Sequence, residues 1–276
     1  MAAVLTRLKR QANTFRMLVK LMKSILHEKS KARTFPPCAA RRAWRICVAY
    51  IGAVTAMLLG VNASAQQVHV PDTVAQRVLA CAACHGKEGR ATSAGYFPRI
   101  AGKPAGYLYN QLVNFREGRR QYPLMTYMVA HMPDAYLKEI SQYFSDLHPP
   151  YAAAQAANAA PAVLERGRVL VMSGDRAKNI PACIACHGEK LTGALPAIPS
   201  LVGLPRDYLN SQFGAWKNGA RKSQAPDCMA QISRHLEPED IAAVSAWLAS
   251  QAVPDDMSPA LATSITLPLP CGSAPQ

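Results

Sequence analysis

Two short stretches, "CAACHG" at residues 81–86 and "CIACHG" at residues 183–188, place two cysteines, a two-residue gap and a histidine in the same order twice. They open a longer internal repeat. Pro98 matches Pro199, Gly102 matches Gly203, Pro104 matches Pro205, Tyr107-Leu108 matches Tyr208-Leu209, Gln111 matches Gln212 and Phe115 matches Trp216, all at an offset of 101 residues. A three-residue insertion then brings Met125 onto Met229, and the segment after it aligns at an offset of 104. A repeat on this scale means that one small fold is built twice.

Each copy has the same coarse plan. An amphipathic segment precedes the cysteines, with Val74, Val78 and Leu79 at helical spacing after an Asp72-Thr73 start signal. A loop bearing Gly and Pro follows the histidine. A helix is expected from Pro104 or Pro205, with Tyr107, Leu108, Gln111 and Phe115 on one face of the first. The closing helices are expected at residues 134–147 and 238–250. No period-2 run of β-branched residues is present, so the expected fold is all-α. Residues 66–147 and 163–251 are the two domains, 148–162 is a Pro/Ala linker and 252–276 is an irregular tail.

Residues 1–65 differ from the rest, holding 12 Lys/Arg against the single acid Glu28. The apolar run 46–61 and the small residues Ala63-Ser64-Ala65 read as a secretory signal cleaved after Ala65. The run is short for a membrane span; an uncleaved anchor is the alternative reading, and would attach the protein to the membrane. Met17 or Met22 is an alternative start, and Arg41-Arg42 is weak as a twin-arginine signal. The signal carries most of the formal charge of +14, leaving 19 basic and 16 acidic residues in the remainder. That remainder shows no basic stripe, so nucleic-acid binding is excluded. Of eight cysteines, Cys38 and Cys47 leave with the signal, four sit in the motifs, and Cys228 and Cys271 are left as a pair an exported protein can oxidise.

Three chemistries use C-x-x-C. A redox disulfide needs no adjacent histidine. Zinc would need all four motif cysteines and leave His85 and His187 without a role. C-x-x-C-H is the attachment signature of haem c: two thiols reach the vinyl groups and the histidine faces the iron. Two copies in an exported chain favour two covalent haem c groups on Cys81, Cys84, Cys183 and Cys186, with His85 and His187 as axial ligands. Methionine on the other face raises the reduction potential. Between its motif and its last helix the first copy offers Met125, Met128 and Met132 and the second offers only Met229, so the repeat selects Met125 and Met229. Met128 and Met132 align with Ile232 and Leu236 and read as core. His131 and His235 align with each other and read as surface or interface residues. Carbonyls near Pro98 and Pro199 are placed to accept the second ring N–H of each histidine. Tyr107, Tyr208, Phe115 and Trp216 read as haem-wall or core residues.

From these motifs the chain resembles the dihaem cytochromes of the c4 type over roughly residues 72–250. The resemblance implies tandem cytochrome c-like domains, a periplasmic location, and single-electron transfer between respiratory-chain partners. Such partners include a terminal oxidase, a quinol-oxidising complex or a dehydrogenase. Filled axial positions leave no place for substrate, so an electron carrier rather than an enzyme is expected. The alternative is a cytochrome subunit of a periplasmic dehydrogenase complex; a haem enzyme or gas sensor would need an open iron. Two features depart from the family pattern: "RRQYPLM" before Met125, and Cys228 beside Met229 with a tail ending at Cys271. A Cys228–Cys271 disulfide is expected, tying that tail over the loop of Met229.

Overall fold

The structure is a computed structural model and describes residues 70–92 and 97–274. The expected signal, residues 1–65, lies outside the described residues. Thr73 caps the first helix: its hydroxyl accepts from the Gln76 amide at 3.2 Å, and α1 runs Val74–Arg77. The chain then breaks at Val78 (φ −87, ψ 4) and restarts as α2, Leu79–His85. This corrects the expected continuous apolar face. Val78 is buried against Leu108, Ile140 and Phe144. Leu79, just past the break, is re-aimed outward and left 55% exposed.

The remaining helices of the first half are α3 (Ala105–Arg116), α4 (Pro123–Val129) and α5 (Asp134–Ser145). The second half has α6 (Pro161–Met172), α7 (Ile184–His187), α8 (Arg206–Lys217), α9 (Cys228–His235) and α10 (Pro238–Ser250). Pro104 and Pro205 stand just before α3 and α8, while α4, α6 and α10 begin on proline, where no backbone donor is lost. Among the described residues the chain is helical, with only isolated β-bridges, as the fold class requires.

The α3 residues expected on one face divide between two surfaces. Leu108 and Phe115 are buried in the first half's core. Gln111 and the Tyr107 hydroxyl, one turn apart, also reach the second half, while the Tyr107 ring packs against the core beside Leu108. The segment 148–162 is tied down at its start. The Arg99 guanidinium donates to the carbonyls of Pro149 (2.5 Å) and Pro150 (3.0 Å) and stacks 3.7 Å over the Tyr151 ring.

Leu170, Val171, Val244 and Leu248 form the centre of the second core, where α6 crosses α10. Gly167 makes this crossing close: a Cβ there would lie 2.2 Å from the Ala243 carbonyl oxygen and 2.8 Å from the Trp247 Cβ. Gly167→Ala therefore forfeits its helix-propensity gain of about 1 kcal/mol. We expect a net loss of roughly 1–3 kcal/mol, read by chemical denaturation.

Asp240 fixes the other end of that packing. It is 5% exposed and accepts from Arg166 Nε and Lys178 Nζ, both at 2.8 Å. Burial pushes its carboxyl up, but the two cations and the Glu237 amide together outweigh burial and hold it below the ordinary value. A depressed folded value contributes stability above the unfolded value of about 3.9, lost as the pH falls through the folded one. Both cations are partly exposed, so Asp240→Asn should cost only about 1–2 kcal/mol at pH 7. The gap should shrink towards pH 3 in urea titrations of both proteins.

Candidate functional site

His187 ends α7 and is 7% exposed. Its Nδ1 lies 2.7 Å from the Pro199 carbonyl oxygen. A carbonyl only accepts, so Nδ1 carries the proton and Nε2 keeps its lone pair for a metal. Burial, opposed by the Pro199 carbonyl and reinforced by Lys103, pushes the imidazole down to about 4. The ring is neutral at pH 7, the form that ligates. Cys183 caps α7, and its carbonyl accepts from the His187 amide at 2.9 Å, so both thiols and the imidazole share one helical turn.

Across from them, Asp227 caps α9 by accepting from the Ala230 amide at 3.0 Å, which fixes Met229 in the first turn. Cys186, His187 and Met229 line one recess of about 1110 Å³, counting its open solvent. An adjoining apolar recess of about 540 Å³ shares Leu201 and Phe213 with it and adds Cys183 and Leu248. The structure thus brings together every candidate residue of the second copy.

The first copy repeats the anchor. His85 is 8% exposed, and its Nδ1 lies 2.8 Å from the Pro98 carbonyl oxygen. Burial pushes its imidazole below the ordinary histidine value, the Pro98 carbonyl opposes this, and Arg120 adds to the lowering. Cys81 packs against the cluster around Val78, Ile140 and Phe144. Met125, in α4, packs with Phe115, Val129 and Leu137, together with Met128 and Met132. The two clusters share Leu112 and Met132. His131 and His235 are exposed at the surface.

The thiols are unpaired. Burial raises Cys81 and Cys186, and it pushes Cys183 up to about 12, helped by Cys186. Neutral thiols are poor redox nucleophiles. Among the described residues, no three His, Cys, Asp or Glu side chains gather where they could hold a metal ion, so the four motif cysteines do not form a zinc site.

Between the halves the repeat becomes a pseudo-two-fold. The Gln121 amide donates to the Ala220 carbonyl and the Lys222 amide to the Arg119 carbonyl, both at 2.7 Å. Arg120 donates to Gln111 and Gln212, both at 2.8 Å; Arg221 donates to Gln212 at 2.6 Å and Gln111 at 3.2 Å. Lys103 breaks the symmetry, for Leu204 stands at the matching position. Sequence reasoning missed these cations. Their signal was the matched Gln and Arg positions, whose side chains read as solvated until the halves meet.

The tail closes this region. Cys228 and Cys271 form a disulfide, the Gly272 amide donates to the Pro226 carbonyl at 2.9 Å, and Asn110 donates to the Ser273 carbonyl at 2.9 Å. Leu267 and Leu269 of the tail line the recess of Met229. In its wall, the Trp216 indole N–H is buried without a partner. A recess with apolar walls, two thiols, a neutral imidazole, a thioether and an orphan donor beside cations fits a flat, iron-bearing macrocycle with carboxylate side chains.

A cytochrome c family model matches residues 165–252. A thiosulfate dehydrogenase electron acceptor from Stutzerimonas stutzeri (strain A1501) is 33% identical over 204 residues, covering 72% of this chain and 93% of the relative. A cytochrome c4 from Azotobacter vinelandii is 31% identical over 183 residues, covering 62% of this chain and 84% of the relative. The solved structure of reduced recombinant cytochrome c4 from Pseudomonas stutzeri superposes with a TM-score of 0.55 at 29% identity, covering 63% of this chain and 94% of that one.

Proposed function

The chain belongs to the c4-type dihaem cytochromes, electron carriers with covalently bound haem c, and from that premise we propose how its own residues do this work. Cys81 and Cys84 would tether one haem and Cys183 and Cys186 the other, with His85 and Met125, and His187 and Met229, as the residues that would ligate the two irons. The observation that carries this is the repeated anchor: each motif histidine holds its Nδ1 on a matched proline carbonyl, at 2.8 and 2.7 Å. Bound haem supplies one-electron redox chemistry at a potential that Met/His ligation raises. The protein's part is to exclude water, hold the imidazoles neutral and in one orientation, and keep the thioethers opposite them.

Residues 66–147 and 163–251 act as the two cytochrome units, joined by 148–162. With both iron faces occupied by side chains, the chain turns over no substrate of its own. Its work is periplasmic, passing electrons between respiratory-chain proteins. A second reading, as the cytochrome partner of a periplasmic dehydrogenase, draws support from the relative named as a thiosulfate dehydrogenase electron acceptor.

A potentiometric titration of the purified holoprotein, followed optically, tests the proposal. Two one-electron components and no rapid carbon monoxide binding to the reduced protein at neutral pH are expected. Rapid binding would show an open iron and overturn the axial assignment. Stable co-purification with a dehydrogenase subunit would favour the second reading.

A further inference from the structure

Lys103 and Arg221 are 5% and 6% exposed, and Arg120 joins them at the same interface. None of the three has a carboxylate partner among the described ion pairs. Their acceptors are neutral: the Gln111 and Gln212 amides and the Tyr107 hydroxyl, which accepts from Arg221 at 3.3 Å. No described hydrogen bond engages the Lys103 ammonium, which sits 5.9 Å from the Tyr107 ring centroid. Burying cations without an anion is costly, and a nearby anion is the usual remedy. Lys103 and Arg221 line the same recess as Cys186, His187 and Met229, and the partnerless Trp216 N–H lies in its wall. Lys103 and Arg221 therefore line the cavity assigned to the second haem, and Lys103 comes from the first half of the chain.

Resting on the haem reading above, we infer that Lys103, with Arg221 and the Trp216 N–H, binds a carboxylate side chain of the haem held by Cys183 and Cys186. The second haem site is then completed by the first half of the chain. The second half has no matching lysine, since Leu204 stands in its place. A buried cation favours the reduced haem, which carries one positive charge fewer. Removing the cation lowers the potential of that haem more than of its neighbour, so Lys103 is a positioning residue that also separates the two potentials.

The test is a potentiometric titration of Lys103→Leu holoprotein, a change the matching Leu204 shows the fold can accommodate. The second haem's component is identified as the one displaced by Met229→His. In Lys103→Leu that component should become about tenfold harder to reduce, which is 59 mV for one electron. The other component should move less, and Lys103→Arg should restore most of the change. If Lys103→Leu fails to accumulate, Lys103→Gln is expected to give the same shift in the same assay. Wild-type potentials with both haems present would overturn the inference. So would a shift that depends on added inorganic phosphate, which would make this a site for a free anion. A protein without two covalent haems, counted beforehand as pyridine haemochromes, would instead overturn the haem reading itself.

Discussion

Met229→Ala lowers the potential of one haem component by a few hundred millivolts, within the roughly 0.8 V that axial ligands command, and opens that iron to carbon monoxide. Met229 is placed by α9, whose start is fixed by Asp227 and whose neighbour Cys228 is bonded to the tail. Alanine leaves this scaffold intact, so the loss is of the thioether and not of the fold. Met125→Ala should act likewise on the other component. Met128→Ala and Met132→Ala provide the contrast. They pack, half-buried, against the same cluster as Met125, so they should cost less than the about 2–5 kcal/mol of a fully buried methionine while both potentials stay near the wild-type values. Optical redox titration of the four variants checks the assignment. A Met128 or Met132 variant that loses the high potential, while Met125→Ala keeps it, would move the ligand.

Removing the disulfide has the next largest effect. Cys228 and Cys271 are 43 residues apart. On the chain-entropy model, closing such a loop is worth about 4 kcal/mol. The double variant Cys228→Ala/Cys271→Ala should unfold at correspondingly lower denaturant. The effect should also be local. Leu267 and Leu269 wall the Met229 recess, and the Ser273 carbonyl holds Asn110 of the first half. A released tail therefore exposes the second haem pocket to water, and carbon monoxide should bind the reduced double variant faster than wild type. Denaturation and binding rates measured together separate a global loss of stability from a loosened ligand. Unchanged values in both would show that the tail contributes nothing there.

The repeat made most of the site legible. Matched Pro98 and Pro199 pointed to the carbonyls that receive His85 and His187, because one geometry had to serve twice. Met229 has no competitor between its motif and its last helix, which is why the alignment proposes Met125 among three methionines. Leu79 was misread because helical spacing assumes an unbroken helix, and the break at Val78 turns it outward. The contacts of Gln111 and of the Tyr107 hydroxyl with the second half were not foreseen for another reason. Periodicity shows that a face is shared, but not whether its neighbour is the same half or the other one. Arg120 and Arg221 were legible only as matched positions and Lys103 not at all, since a cation in sequence reads as solvated until a second surface covers it.

The measurement that bears most directly on the account is peptide mass spectrometry of the purified, acid–acetone-extracted protein. Two peptides, one spanning Cys81–Cys84 and one spanning Cys183–Cys186, should each carry the added mass of one haem, while Cys228 and Cys271 appear joined. Both motif peptides at the mass of their amino acids alone, with the pigment left in the solvent, would contradict it.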